Sequence, residues 1–341
     1  MNKAFAENPF RILEASPSDD RRSLIERADE ASLLGEDNAP DALDALLNSQ
    51  RRLDAEINWF PQTDKACVQA ILAYPEAGCA PYPDVRTPST LALFNACRVM
   101  LETWTLKTNA KAVALCKSLA AIDARMTAAG VIEQINADRK KAGMQLLASV
   151  GDVAYRLDQL RHETAKDLME RIQQEASASP AMNKLMEDLA IAYKDTPSQL
   201  LESLVGIYEL NNAEKMASLQ KDILAYAGVT VSRATLFNCQ DTVRKIENLL
   251  NQWANVSAPV RRLQQSKGIS GDESRKLFHD VREFAVKIQN ELFMMNECYT
   301  LLRLLKSVFW NLPDAIVTVE KDISTLDQLK IRALARSFQR S

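Results

Sequence analysis

The chain has 341 residues, a formal net charge of −3, 47% hydrophobic residues and 26% charged residues. That balance is too apolar for a disordered chain and too nearly neutral for global attraction to phosphate backbones or anionic lipid. Nine glycines, plentiful Ala, Leu, Glu, Lys, Gln and Met, and scarce β-branched runs predict an all-α fold of two or three helical units.

In chain order, Asn8 caps a first short helix at Pro9, with Phe10 and Leu13 on one face. Ser18 or Asp19 then caps a second, in which Leu24, Ile25, Ala28, Ala31 and Leu34 recur at helical spacing before Gly35 stops it. Its polar face mixes Arg21, Arg22 and Arg27 with Asp20, Glu26, Asp29 and Glu30. Asp41 opens a short third helix with Leu43, Leu46 and Leu47, and the segment from Gln50 continues through Leu53 and Ile57 to Trp59 and Phe60. Two such aromatics serve either as partner anchors or, more commonly, as core.

Three stretches of this region resemble a degenerate J-domain. Asn8-Pro9-Phe10-Arg11-Ile12-Leu13 is similar to the opening of that co-chaperone module, residues 18–34 lie where its second helix runs, and Ser49-Gln50-Arg51-Arg52-Leu53 resembles its closing D-P-x-K-R. The resemblance implies a compact helical module over residues 1–60, and a DnaK-type chaperone as partner. The family acts through His-Pro-Asp after the second helix. Here that loop reads Gly35-Glu36-Asp37-Asn38-Ala39-Pro40, and the first histidine is His162. The departure, with a charge-balanced second helix, implies a module without chaperone-ATPase stimulation. Arg51, Arg52 and Trp59 are its candidate interaction residues.

Pro61, Pro75, Pro81, Pro83 and Pro88 mark residues 61–89 as a linker. Within it, Cys67 and Cys79 lack the histidines a four-ligand zinc site would need. Ser89 and Thr90 cap a helix through Leu91, Phe94, Cys97, Val99 and Leu101, and another follows over about 110–129. Residues 131–176 contain no proline. Leu146, Val150, Val153, Leu157 and Leu160 advance there by threes and fours, as in a bundle core or coiled coil. Within a helical region over 90–228, the part from Pro180 to Gly228 would hold two helices divided near Thr196-Pro197-Ser198, a turn at Asn211-Asn212, and a third element over 213–227 closed by Gly228. The remaining region, 229–341, is built on one long helix over 271–311 carrying Leu277, Val281, Phe284, Ile288, Leu292, Met295, Tyr299, Leu302 and Leu305 in one stripe. Its pattern around Trp253, Pro259 and Phe309-Trp310 is similar to helical C-terminal regions of bacterial proteins with J-like N-termini.

No glycine-rich phosphate loop or nucleophile elbow occurs, and His162 and His279 each sit among charged neighbours. Catalytic, cofactor and metal sites are accordingly none, and the six scattered cysteines read as reduced thiols in a cytoplasmic protein. No apolar run approaches the roughly 18 residues a membrane span requires. Arg332, Arg336 and Arg340 fall on one helical face near the C-terminus, where a basic stripe suits phosphate, nucleic acid or an acidic protein surface. The sequence thus predicts a non-enzymatic helical adaptor that binds another protein. Two alternatives stand beside it: a co-chaperone with an unconventional contact to a DnaK-type chaperone, and a phosphate or nucleic-acid binder acting through the basic helix.

Overall fold

The computed structural model describes residues 3–77, 89–101, 109–175, 179–228, 236–269 and 271–338, and every regular element among them is a helix. The fold is all-α. The chain divides into two units: residues 1–177 with 195–207, and residues 178–194 with 208–341.

The first unit opens with α1 (Lys3–Ala6), α2 (Pro9–Ile12), α3 (Arg21–Leu33), α4 (Ala39–Leu47) and α5 (Ser49–Ile57). Asn8 caps α2 as its sequence position predicts: its Oδ1 accepts the Phe10 N–H at 3.0 Å, while its Nδ2 donates to the carbonyls of Ala55 and Asn58. One buried amide thus ties the start of α2 to the end of α5. The cap of α3 is Asp20, which accepts the Ser23 N–H at 2.8 Å, rather than Ser18 or Asp19. Asp19 instead accepts the Ser16 N–H and pairs with Arg27 at 2.9 Å, so the carboxylate expected to cap α3 braces the loop before it.

The same core continues past residue 60. Inside the proline-rich stretch lies α6 (Lys65–Ala77), and Val68 and Ile71 join Ala92, Ala96, Val99 and Met100 of α7 (Thr90–Leu101) around Phe5, Phe10, Trp59 and Phe60. Ser89 caps α7, accepting the Ala92 N–H at 3.1 Å. Residues 78–88 lie outside the described residues, as do Cys79 and the prolines at 81, 83 and 88.

Next come α8 (Asn109–Asp123), α9 (Ala128–Lys141) and α10 (Val150–Glu175). The proline-free stretch 131–176 is therefore not one helix. Gly143, at φ +64°, closes α9 with Gly143 N–H to Lys140 O and Met144 N–H to Arg139 O, a left-handed cap that needs no proline. Of the expected seam, Val153, Leu157 and Leu160 are buried on α10, whereas Leu146 and Val150 are exposed at the break. Asp123 at the end of α8 organises this part of the unit. It pairs with Arg161 at 2.6 Å and accepts from the Ser198 hydroxyl and the Leu200 N–H.

The second unit is built from α11 (Ser179–Tyr193), most of α12 (Gln199–Ala227), α13 (Leu236–Ser266), α14 (Asp272–Leu292), α15 (Met295–Val308) and α16 (Pro313–Phe338). The division at residues 194–198 matches the sequence reading, but Asn211 and Asn212 lie within a continuous α12. Pro259 likewise lies inside α13. The expected 271–311 helix is two helices. Phe293 adopts φ +56° and donates its N–H to Gln289 O, so α14 and α15 fold back and pack against each other. Leu277, Val281, Phe284 and Ile288 line one half of the resulting core, and Leu301, Leu302 and Leu305 the other. Spacing by threes and fours reads the same across such a turn, which is why the stripe looked unbroken. Arg282 and Asp322 link α14 to α16 through two hydrogen bonds, at 2.6 and 2.9 Å.

Two outcomes test this arrangement. Ile288→Asp should lower the stability of the second unit by about 3–5 kcal/mol in thermal melts, because Ile288 is fully buried and the carboxylate would have no partner. Phe293→Gly should raise it by about 0.5–1 kcal/mol in urea titrations, since Phe293 is 80% exposed and glycine adopts positive φ freely.

Candidate functional site

The residues singled out at the end of the N-terminal module separate into two groups. Arg51 is exposed and pairs with Asp44 on α4. Arg52, one position on, is 2% exposed and points inward. Its Nε lies 2.8 Å from Glu56 Oε1, and its Nη1 and Nη2 donate to the carbonyls of Leu46 and Pro17. The other carboxylate oxygen of Glu56 meets Arg139 of α9 at 2.8 Å, and Arg139 also donates to the carbonyls of Gln145 and Ser49. This buried Arg52–Glu56–Arg139 triad fastens α5 to α9 and to the loop before α3. Trp59 is also core: it lies against Phe10 and Phe60, with centroids 6.0 and 5.3 Å away. Neither Arg52 nor Trp59 offers a surface to a partner, because each is already committed to holding the module together.

What the module does present is a groove of about 330 Å³ between the end of α2 and the second half of α3. Both helices stop there with the same left-handed cap. Glu14 sits at φ +48° with Ala15 N–H reaching back to Phe10 O, and Gly35 at φ +88° with Glu36 N–H reaching back to Ala31 O. These turns set the carboxylates of Glu14 and Glu36 along a groove that also contains Glu30. Arg27 is its one lining guanidinium, and it is occupied by Asp19. Leu33 and Leu34 stand beside the groove at 88% and 83% exposed. Leu34 was expected on the inward stripe. The cap at Gly35 turns the last residues of α3 away from the core, leaving Leu24 and Ala28 as its buried positions. The sequence signal available was the Leu33-Leu34 doublet directly before the stop.

The basic C-terminal face is only partly described. Arg332 is exposed on α16, Arg336 lies within the same helix, and Arg340 lies outside the described residues.

Chemistry elsewhere is sparse. His162 and His279 are both exposed, and no group of three His, Cys, Asp or Glu among the described residues could hold a metal ion. Burial pushes the Cys116 thiol up to about 12 and the Cys298 thiol up to about 11, so neither is a thiolate near neutral pH. No described helix is long and apolar enough to cross a membrane.

Glu56→Gln should destabilise the first unit by about 3–5 kcal/mol in urea denaturation, because it leaves two buried guanidinium groups facing a neutral amide. Arg51→Ala, which removes only an exposed pair, should change stability by less than about 0.5 kcal/mol. No family model, curated protein or solved structure matches the chain.

Proposed function

We propose that the protein is a non-enzymatic helical adaptor whose N-terminal module docks a partner segment in the groove between α2 and α3. The observation that carries this reading is the pair of fully solvated leucines, Leu33 and Leu34, beside a groove lined by Glu14, Glu30 and Glu36. Adjacent exposed leucines at a helix end have an unfavourable hydration cost, and a groove whose carboxylates outnumber its cations, Glu14 alone meeting a lysine, Lys65 at 3.5 Å, selects by charge. The occupant that fits both is an amphipathic segment with an apolar anchor flanked by lysine or arginine. The J-like plan of the first sixty residues belongs to the same reading: an interaction module kept without the His-Pro-Asp loop. Its setting is the cytoplasm, which suits the free cysteines at 67, 97, 116, 239 and 298.

The test is fluorescence anisotropy with a labelled model helix carrying leucine anchors and lysines, set against the same helix with glutamates in place of lysines. The basic helix should bind the full chain, and the double variant Leu33→Ser/Leu34→Ser should weaken that binding at least about tenfold, or about 1.4 kcal/mol. Glu30→Lys should weaken it further at low salt than at high salt. Equal binding of the acidic helix, or no binding of either, would sink the docking proposal. In parallel, the protein is expected to leave the ATP turnover of a DnaK-type chaperone unchanged, and a several-fold stimulation would replace the adaptor reading with the co-chaperone one.

A further inference from the structure

A second concavity, of about 550 Å³, opens within the second unit between α12, α13 and the start of α14. Its volume falls in the range that encloses small ligands, about 300–1,000 Å³. Its walls carry charges of opposite sign that do not satisfy one another.

On the α13 wall, Arg261 is 3% exposed. Its Nη1 donates to Val308 O and Asn311 Oδ1, and its Nη2 donates to Ala254 O. The guanidinium also lies over the Trp253 ring, 4.9 Å from its centroid. All of these neighbours are neutral, no carboxylate among the described residues comes within ion-pairing distance, and Nε has no hydrogen-bond partner there. Burial and the adjacent Arg262 pull the Arg261 pKa down to about 10 against a smaller upward pull from Glu187, as expected of a buried cation only partly compensated. One turn earlier on the same wall, Ser257 is 4% exposed and its hydroxyl also has no partner among the described residues.

The opposite wall is acidic. Glu209 of α12 and Glu273 of α14 both line the cleft, and neither has an ion-pair partner among the described residues. Desolvation and the facing Glu273 raise the Glu209 pKa above its usual value. Asp272 adds a third carboxylate, which the positive end of α14 accommodates.

We infer that this cleft binds a small zwitterion of the amino-acid class, its carboxylate on the Arg261–Ser257 wall and its ammonium group on the Glu209–Glu273 wall. A monovalent anion would answer Arg261 but leave the acidic wall unmet, and a simple amine would do the reverse. One molecule bearing both groups supplies each wall with its missing counter-charge, and its carboxylate gives the Ser257 hydroxyl an acceptor. This site is independent of the adaptor groove, which lies in the other unit.

The test is a thermal-shift series on the full chain with 4-aminobutyrate and 6-aminohexanoate, each beside its matched acid (butyrate, hexanoate) and matched amine (butylamine, hexylamine). At a concentration roughly tenfold above its dissociation constant, at least one ω-amino acid should raise the Tm by about 3 °C, well beyond its matched acid and amine. Glu209→Gln, at a position outside the core, should leave the ligand-free Tm in place and remove that shift. Ser257→Ala should reduce it. If neither ω-amino acid exceeds its matched acid and amine, or if Glu209→Gln responds as the wild type does, the assignment is overturned.

Discussion

The first unit depends on one buried carboxylate. Glu56 receives Arg52 from its own helix and Arg139 from α9, and all three side chains are 1–2% exposed. Removing three charges from water is expensive, and the arrangement persists because the remaining donors are also met, by the carbonyls of Leu46, Pro17, Gln145 and Ser49. Of those carbonyls, Leu46 lies in the last turn of α4, and Pro17 and Gln145 lie in loops, where no helix offers them a donor. The triad thereby fixes α5, α9, the end of α4 and two loops in a single geometry, which a purely apolar contact would specify less sharply. Asn8 and Asn95 extend the same device. Asn8 bridges α2 to the end of α5, and Asn95 donates to the carbonyls of Ile57 and Trp59 at 2.9 and 2.7 Å.

The module is held from inside, and its outer surface carries none of these contacts. The left-handed turns at Glu14 and Gly35 end α2 and α3 side by side and leave carboxylates and two leucines facing solvent. The residues that hold the module together and the carboxylates along its groove are thus different. The second unit repeats the separation: its apolar stripes on α14 and α15 are buried against each other, while unmet charge collects in the cleft beside α13.

The amino-acid pattern disclosed helix positions far better than helix ends. Asn8, Ser89 and the break before Ser198 were legible because a cap or a proline is a local signal. The turn at Phe293 was not, since a phenylalanine at positive φ carries no mark in the sequence and the apolar spacing runs straight through it. Pro259 lies inside α13 and does not end it. The fate of individual side chains was the least legible. Arg52 suits binding chemically, yet its guanidinium is taken up by Glu56, four positions on, and by the Pro17 carbonyl, 35 positions back, while Trp59 packs on Phe10, 49 positions back, and no local pattern announces the distant contacts. Leu34 shares the helical spacing of Leu24 and Ala28, yet as the C-cap residue of α3 it is 83% exposed.

The core around Phe10 and Trp59 is completed by residues as late as Met100, and its buried charge by Arg139, 83 positions after Glu56. During synthesis, the first sixty residues would leave the ribosome with Glu56 balanced only by Arg52, and with Phe5 and Phe60 lacking the α7 surface that covers them. The N-terminal module is therefore not a portable part. It acquires its final form only after more than a third of the chain has been made, and a fragment cut at Phe60 would retain the helices while losing the groove they hold open.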